Sequence, residues 1–230
     1  MKKMLLTALL AGGLSVAATA QAADDVVLES SADSYNWIAN QPHGELPFMA
    51  LWQEVSPNQR QAVAMMKFDL GDLGGLDSSD VLSARIELHP WYASHQWELQ
   101  GDAGRLVAAE RLAAFDESDP NPLPSSGGTL LTDQLMAVDN YDLITIDGPA
   151  LLDAVRDWMD NPASNMGIDL QLLAPAGADD TFYMALYSRE ADDPSLRPRL
   201  VLNTTSVPAP GVGTLMGIAG LSLVSRRRRA

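Results

Sequence analysis

Residues 81–90 read VLSARIELHP, and the stretch alternates cleanly. Ala84, Ile86 and Leu88 fall on one side, Arg85, Glu87 and His89 on the other. Successive side chains of an extended chain point to opposite faces, so this period of two marks a strand with one face on a core and one in water. Antiparallel sheets carry that asymmetry, whereas parallel sheets are covered on both sides. The stretch therefore predicts an antiparallel sheet.

Working outward, DVVLES (25–30), AVAMMKFDL (62–70), GRLVAAE (104–110), DLITID (142–147), GIDLQLL (167–173), TFYMALYS (181–188) and PRLVLN (198–203) all have strand character. Gly, Pro, Asn and Asp separate them, and many short strands so punctuated predict a sandwich or barrel. One helix interrupts the series. After Asp147-Gly148-Pro149, Leu151, Val155 and Trp158 recur at helical spacing, and Leu152 and Met159 widen the same face. Asp147 is the expected N-cap, Pro149 suits the first turn, and Asn161-Pro162 stops the helix, which is expected to cover one end of the sandwich. Trp158 belongs to the core. DESDPNPLPSSGGT (116–129) reads as a surface loop.

The two ends differ from this body. MKKMLLTALLAGGLSVAATAQA (1–22) has a basic start, an apolar stretch and an A-x-A ending, the pattern of a secretory signal peptide cut between Ala22 and Ala23. At the other end, residues 206–230 carry Pro208 and Pro210, an apolar glycine-laced run, and Arg226, Arg227, Arg228 and Arg229. The run barely reaches the roughly 20 residues of a membrane span, and the arginines belong on the cytoplasmic side. Between them, residues 23–205 form one domain. All 30 acidic residues lie there, and Lys2, Lys3 and the four terminal arginines do not, so nine basic residues face 30 acidic ones, a formal −21. Such a body is repelled by nucleic acid and anionic lipid. With no cysteine in the chain, disulfides and thiolate metal sites are excluded.

Two resemblances follow from residues already quoted. The tail, VPAPG followed by an apolar helix and an arginine cluster, resembles a PEP-CTERM sorting signal, with Ala209 where the motif usually has Glu. That implies transient inner-membrane contact, processing by an exosortase-like enzyme after signal peptidase, and delivery to the surface or extracellular matrix of a Gram-negative-type bacterium. In the body, ADSYNW (32–37), FDL (68–70), LSARIELHPW (82–91), the strand-to-helix segment 143–172 and YSREADDPSLRPRLVLN (187–203) together resemble the DNRLRE domain. That family is carbohydrate-binding-module-like and related to disaggregatase-associated repeats. It implies a jelly-roll-like antiparallel β-sandwich that binds extracellular polysaccharide without catalysis.

For chemistry, the three histidines are His43, His89 and His95, and no zinc-type pair, nucleophile elbow or phosphate loop occurs. Acidic residues are too abundant to single out a catalytic pair. A structural Ca²⁺ in acid-rich loops is the cofactor they are compatible with, its ligands unassigned. Arg189 and Glu190 follow a strand and are expected to fix the sandwich end by pairing. Sugars offer apolar C–H faces to aromatic rings, so the candidate carbohydrate-binding residues are Trp91, Tyr92 and Trp97 in HPWYASHQW, with Trp37 and Trp52 as a second platform; core packing is the competing use. The expected function is to bind or organise polysaccharide. Two alternatives stand beside it: a purely structural matrix or adhesin protein, and a polysaccharide hydrolase or lyase.

Overall fold

The computed structural model describes residues 23–36, 43–53, 61–71, 73, 75–91, 104–119, 122–125, 127–136, 142–173 and 182–205. Residues 1–22 and 206–230, read above as a signal peptide and a sorting tail, and Trp37, Tyr92, His95 and Trp97 lie outside these residues. Among the described residues, eleven strands and one α-helix make an all-β, antiparallel sandwich: β1 Ala23–Tyr35, β2 Phe48–Gln53, β3 Gln61–Ala62, β4 Ala64–Phe68, β5 Val81–Leu88, β6 Gly104–Glu110, β7 Leu130–Met136, β8 Ile144–Asp147, α1 Pro149–Asp160, β9 Ile168–Leu173, β10 Phe182–Tyr187 and β11 Arg199–Thr205. The large sheet runs β7-β6-β9-β4-β1-β11-β5-β8 and the small one β10-β2-β3.

β1 organises the roll. Its first half pairs with β11, from Ala23↔Thr205 to Glu29↔Arg199, and its second half with β4, from Ser30↔Phe68 to Tyr35↔Ala64. The change falls on a register shift between Ser30 and Ala32, where the Ser30 hydroxyl donates to the Ala32 carbonyl at 2.9 Å. A bulge of this kind bends and twists its strand, so one strand serves two layers. The small sheet lies over β9, β4 and β1, and it joins β5 through a bridge between Pro90 and Leu186.

The alternation of 81–90 appears with one exception. Ala84, Ile86 and Leu88 are buried and Arg85 and His89 are partly exposed, but Glu87, expected in water beside them, is buried between Arg85 and Arg199, which pair with it. Opposite Ala84, Ile86 and Leu88, Leu200 and Leu202 of β11, Ile144 and Ile146 of β8, and Met66, Leu170 and Leu106 of the other layer fill one core. Each such aliphatic side chain contributes about 1.5–3 kcal/mol on burial. Helix α1 closes one end against β5, β7 and β8. Its face is Leu151, Ala154, Val155 and Trp158, with the Trp158 indole N–H donating to Glu110 Oε1 at 3.0 Å. The start of α1 departs from the sequence reading. The N-cap is Gly148, at φ 113°, and not Asp147, because the chain leaves β8 at an angle that only a left-handed residue permits.

Residues 111–119 and 122–125 form a belt that anchors on β9 and reaches the edge of β1. The Arg111 and Asp169 side chains, each 1 % exposed, form an ion pair, and Asp169 Oδ2 also accepts from the Ser125 N–H at 2.8 Å and hydroxyl at 3.1 Å. Beyond β4, Glu117 accepts the Asp33 N–H at 2.8 Å, capping the stretch of β1 that β11 no longer pairs. The belt explains why AVAMMKFDL is apolar almost throughout. Met66 and Phe68 face the core, while Met65, equally buried, shares the other face with Asp169.

Candidate functional site

Strand alternation sorts the small sheet into two faces. Met49, Leu51 and Leu186 are fully buried on one. On the other, the register sets Trp52 across from Tyr183, Ala50 across from Ala185, and Phe48 across from Tyr187. The chain beyond β5 extends this face, because the Trp91 N–H donates to the Ala185 carbonyl at 2.8 Å and the Tyr187 N–H to the His89 carbonyl at 2.9 Å. Trp91 therefore sits beside Ala185 and Ala50. These small side chains leave room for its ring to cross β10 and stack on Phe48, at 4.2 Å between centroids and 8° between planes. Phe48, Trp52, Trp91, Tyr183 and Tyr187 are all half-buried.

The run continues from Phe48 to Tyr35 at 5.9 Å, and from Tyr35 to His43, stacked at 4.3 Å. Burial pushes the Tyr35 phenol up, with Tyr183 adding to the effect, and burial likewise raises Tyr183. Both hydroxyls hold their protons and serve as hydrogen-bonding groups. His43 has no partner at either ring nitrogen, and burial holds it below the ordinary histidine range. His89 is lowered by burial first and by the nearby Arg199 charge second. Both imidazoles are neutral at physiological pH, and the two His43 nitrogens and His89 Nδ1 are buried, so the face presents rings and hydroxyls.

Of the five aromatic candidates from the sequence, Trp91 and Trp52 come to this one face; Trp37, Tyr92 and Trp97 lie outside the described residues. The sequence reading missed Phe48, Tyr183 and Tyr187. Their signal was period two again: Phe48 and Trp52 alternate with Met49 and Leu51, and Tyr183 and Tyr187 with Met184 and Leu186.

Arg189 and Glu190 occupy the turn after β10. Arg189 Nε donates to Glu190 Oε1 at 2.7 Å, its guanidinium also reaches the Ser31 carbonyl, and Glu117 Oε1 lies 3.6 Å away. The Arg189 N–H donates to Asp33 Oδ2 at 2.7 Å, while Asp33 Oδ1 has no partner. These contacts tie the turn to the bend of β1.

A cleft of about 450 Å³ opens on the belt, lined in part by Arg111, Phe115, Pro122 and Leu123. Its guanidinium is already committed to Asp169 and lies 5.1 Å from the centre of the Phe115 ring. Among the described residues, no three His, Asp or Glu side chains converge as a metal-ligand set. Among the same residues no helix is long and apolar enough to cross a membrane.

No protein-family model matches the chain, and a search of curated proteins finds no similar sequence.

Proposed function

We propose that the protein is an exported, non-catalytic β-sandwich that binds polysaccharide at the surface or in the matrix of the cell. The observation that carries this reading is the shared face of Trp91, Phe48, Trp52, Tyr183 and Tyr187. Half-buried rings held by a sheet and by each other are preorganised, so a sugar stacking on them adds contact without ordering the protein first. The Tyr183 and Tyr187 hydroxyls beside the rings suit the hydroxyl groups of a glycan. The resemblance of the body to the DNRLRE domain, of the first 22 residues to a signal peptide and of the tail to a PEP-CTERM signal supports the same reading. On it, signal peptidase and an exosortase-like enzyme process the chain, and the tail touches the inner membrane only in transit.

The test is a panel of neutral, acidic and amine-bearing glycans presented to the purified protein, with and without calcium, and repeated on Trp91→Ala. Saturable binding that the variant weakens by about tenfold or more, near 1.4 kcal/mol, supports the reading. Binding that requires calcium would add a structural ion to it. If a folded protein binds none of the glycans, the purely structural matrix role replaces it.

A further inference from the structure

We infer that the glycan taken by the aromatic face is amine-bearing, a hexosamine polymer with free, protonated amino groups. This rests on the polysaccharide reading above and adds the ligand's charge to it.

Stacking on rings does not distinguish charged from neutral sugars, so the discrimination lies in the surrounding charges. Six of the seven described arginines are in ion pairs: Arg85, Arg105, Arg111, Arg189, Arg197 and Arg199. The seventh, Arg156, donates to the Val81 carbonyl at 2.7 Å, at the opposite end of β5 from Trp91. Lys67 stands on β4, paired in register with Ala32 rather than on the small sheet. Arg199 lies near His89, but its guanidinium is held by Glu87 at 3.1 Å, so among the described residues no arginine beside the aromatic face is without a carboxylate already on it.

Negative charge is present there. Glu45 is exposed three residues before Phe48, and the Glu87 and Asp193 charges both act on the His89 ring, against the opposing charge of Arg199. Behind these acids stands the formal −21 of residues 23–205. Fields of that sign raise the local concentration of a polycation and repel a polyanion. An acidic polysaccharide would gain stacking and lose it to repulsion, and a neutral one would gain stacking alone. An amine-bearing chain gains stacking and attraction together.

The experiment measures binding of three oligosaccharides to the full protein at mildly acidic pH: a fully N-acetylated chito-oligosaccharide, its de-N-acetylated counterpart, and an oligogalacturonate. Each is titrated at low and high salt, about 0.05 and 0.5 M, which shortens the screening length roughly threefold. The de-N-acetylated form is expected to bind at least about tenfold tighter than the acetylated form at low salt, with that advantage lost at high salt. Trp91→Ala and Trp52→Ala, checked for folding by circular dichroism, are expected to weaken it further. Equal or tighter binding of the acetylated or acidic oligosaccharide overturns the inference. Undiminished binding in both folded variants also overturns it, because the field alone would then be responsible. If the variants do not fold, the acetylation and salt comparison on the parent protein decides. Binding of other glycans but not of the amine-bearing one defeats this inference alone, whereas silence across the whole panel withdraws the polysaccharide reading itself.

Discussion

Asp33 is 1 % exposed, and its carboxyl sits where β1 bends into the second layer. Burial pushes it up to about 7 from its ordinary 3.8; the Arg189 N–H opposes this, and Glu117 adds to it. The folded protein therefore keeps a proton that the unfolded chain loses above about pH 4. Stability from this group is fully present below that pH and is lost as pH rises through about 7, on the order of 4 kcal/mol across the window. His43, lowered by burial, has the opposite sign, so the comparison must be between parent and variant. Asp33→Asn keeps an oxygen for the Arg189 N–H and removes the charge. It is expected to flatten the fall in melting temperature between pH 4 and 8 and to raise it at pH 8; parallel curves for the two proteins would sink the argument. The sequence offers no sign of this group. Asp33 is one of 30 acids, and only the packing of β1 against the Arg189 turn withdraws it from water.

At the scale of elements, two glycines separate backbone strain from crowding. Gly148, at φ 113°, starts α1 with nothing within 4 Å of a Cβ placed there, so Gly148→Ala tests the left-handed conformation alone. Gly167, at φ 95°, leads into β9, and its Cβ would stand 2.4 Å from the Met66 carbonyl oxygen. Gly148→Ala should cost about 1–2 kcal/mol by chemical denaturation, and Gly167→Ala clearly more, since strain and a backbone clash combine. Equal costs would mean that β4 yields to the added methyl. Most elements were legible, because their signals are local. The strands of 81–88, 104–110, 144–147 and 168–173 and the apolar face of α1 follow from periodicity that the fold only had to respect. Strands β2 and β7 were not read. FMALWQ places an aromatic or small residue opposite every core residue, and LLTDQLM carries Leu130 and Leu135 exposed on an edge, so neither shows apolar-polar alternation.

At the scale of the molecule, the belt turns what reads as a surface loop into the cover of a sheet. Arg111→Ala would leave the Asp169 charge buried without its partner, which costs about 3–5 kcal/mol. It should also expose residues 112–125 to protease under native conditions. Replacing both, as Arg111→Leu with Asp169→Leu, should recover much of that stability, because the desolvation of two charges disappears with their attraction. A loss below about 1 kcal/mol in Arg111→Ala, with cleavage unchanged, would show that the ion pair does not hold the belt. The aromatic face belongs to this scale as well. Trp91 and Trp52 were candidates by residue type, but Phe48, Tyr183 and Tyr187 joined them only through strand register.

The sequence by itself determined the antiparallel β class, helix α1 and its buried face, and the acid excess of the body. Each depends on residue type and short-range spacing, which strand pleat and helix pitch convert directly into structure. Only the tertiary structure decided that Trp91 would cross Ala185 to stack on Phe48, that Asp33 would be buried beside Arg189, and that Arg111 would reach Asp169. Those pairs lie far apart in the chain. Nothing local selects one partner over another until β1 bends between two layers and the strands take their register.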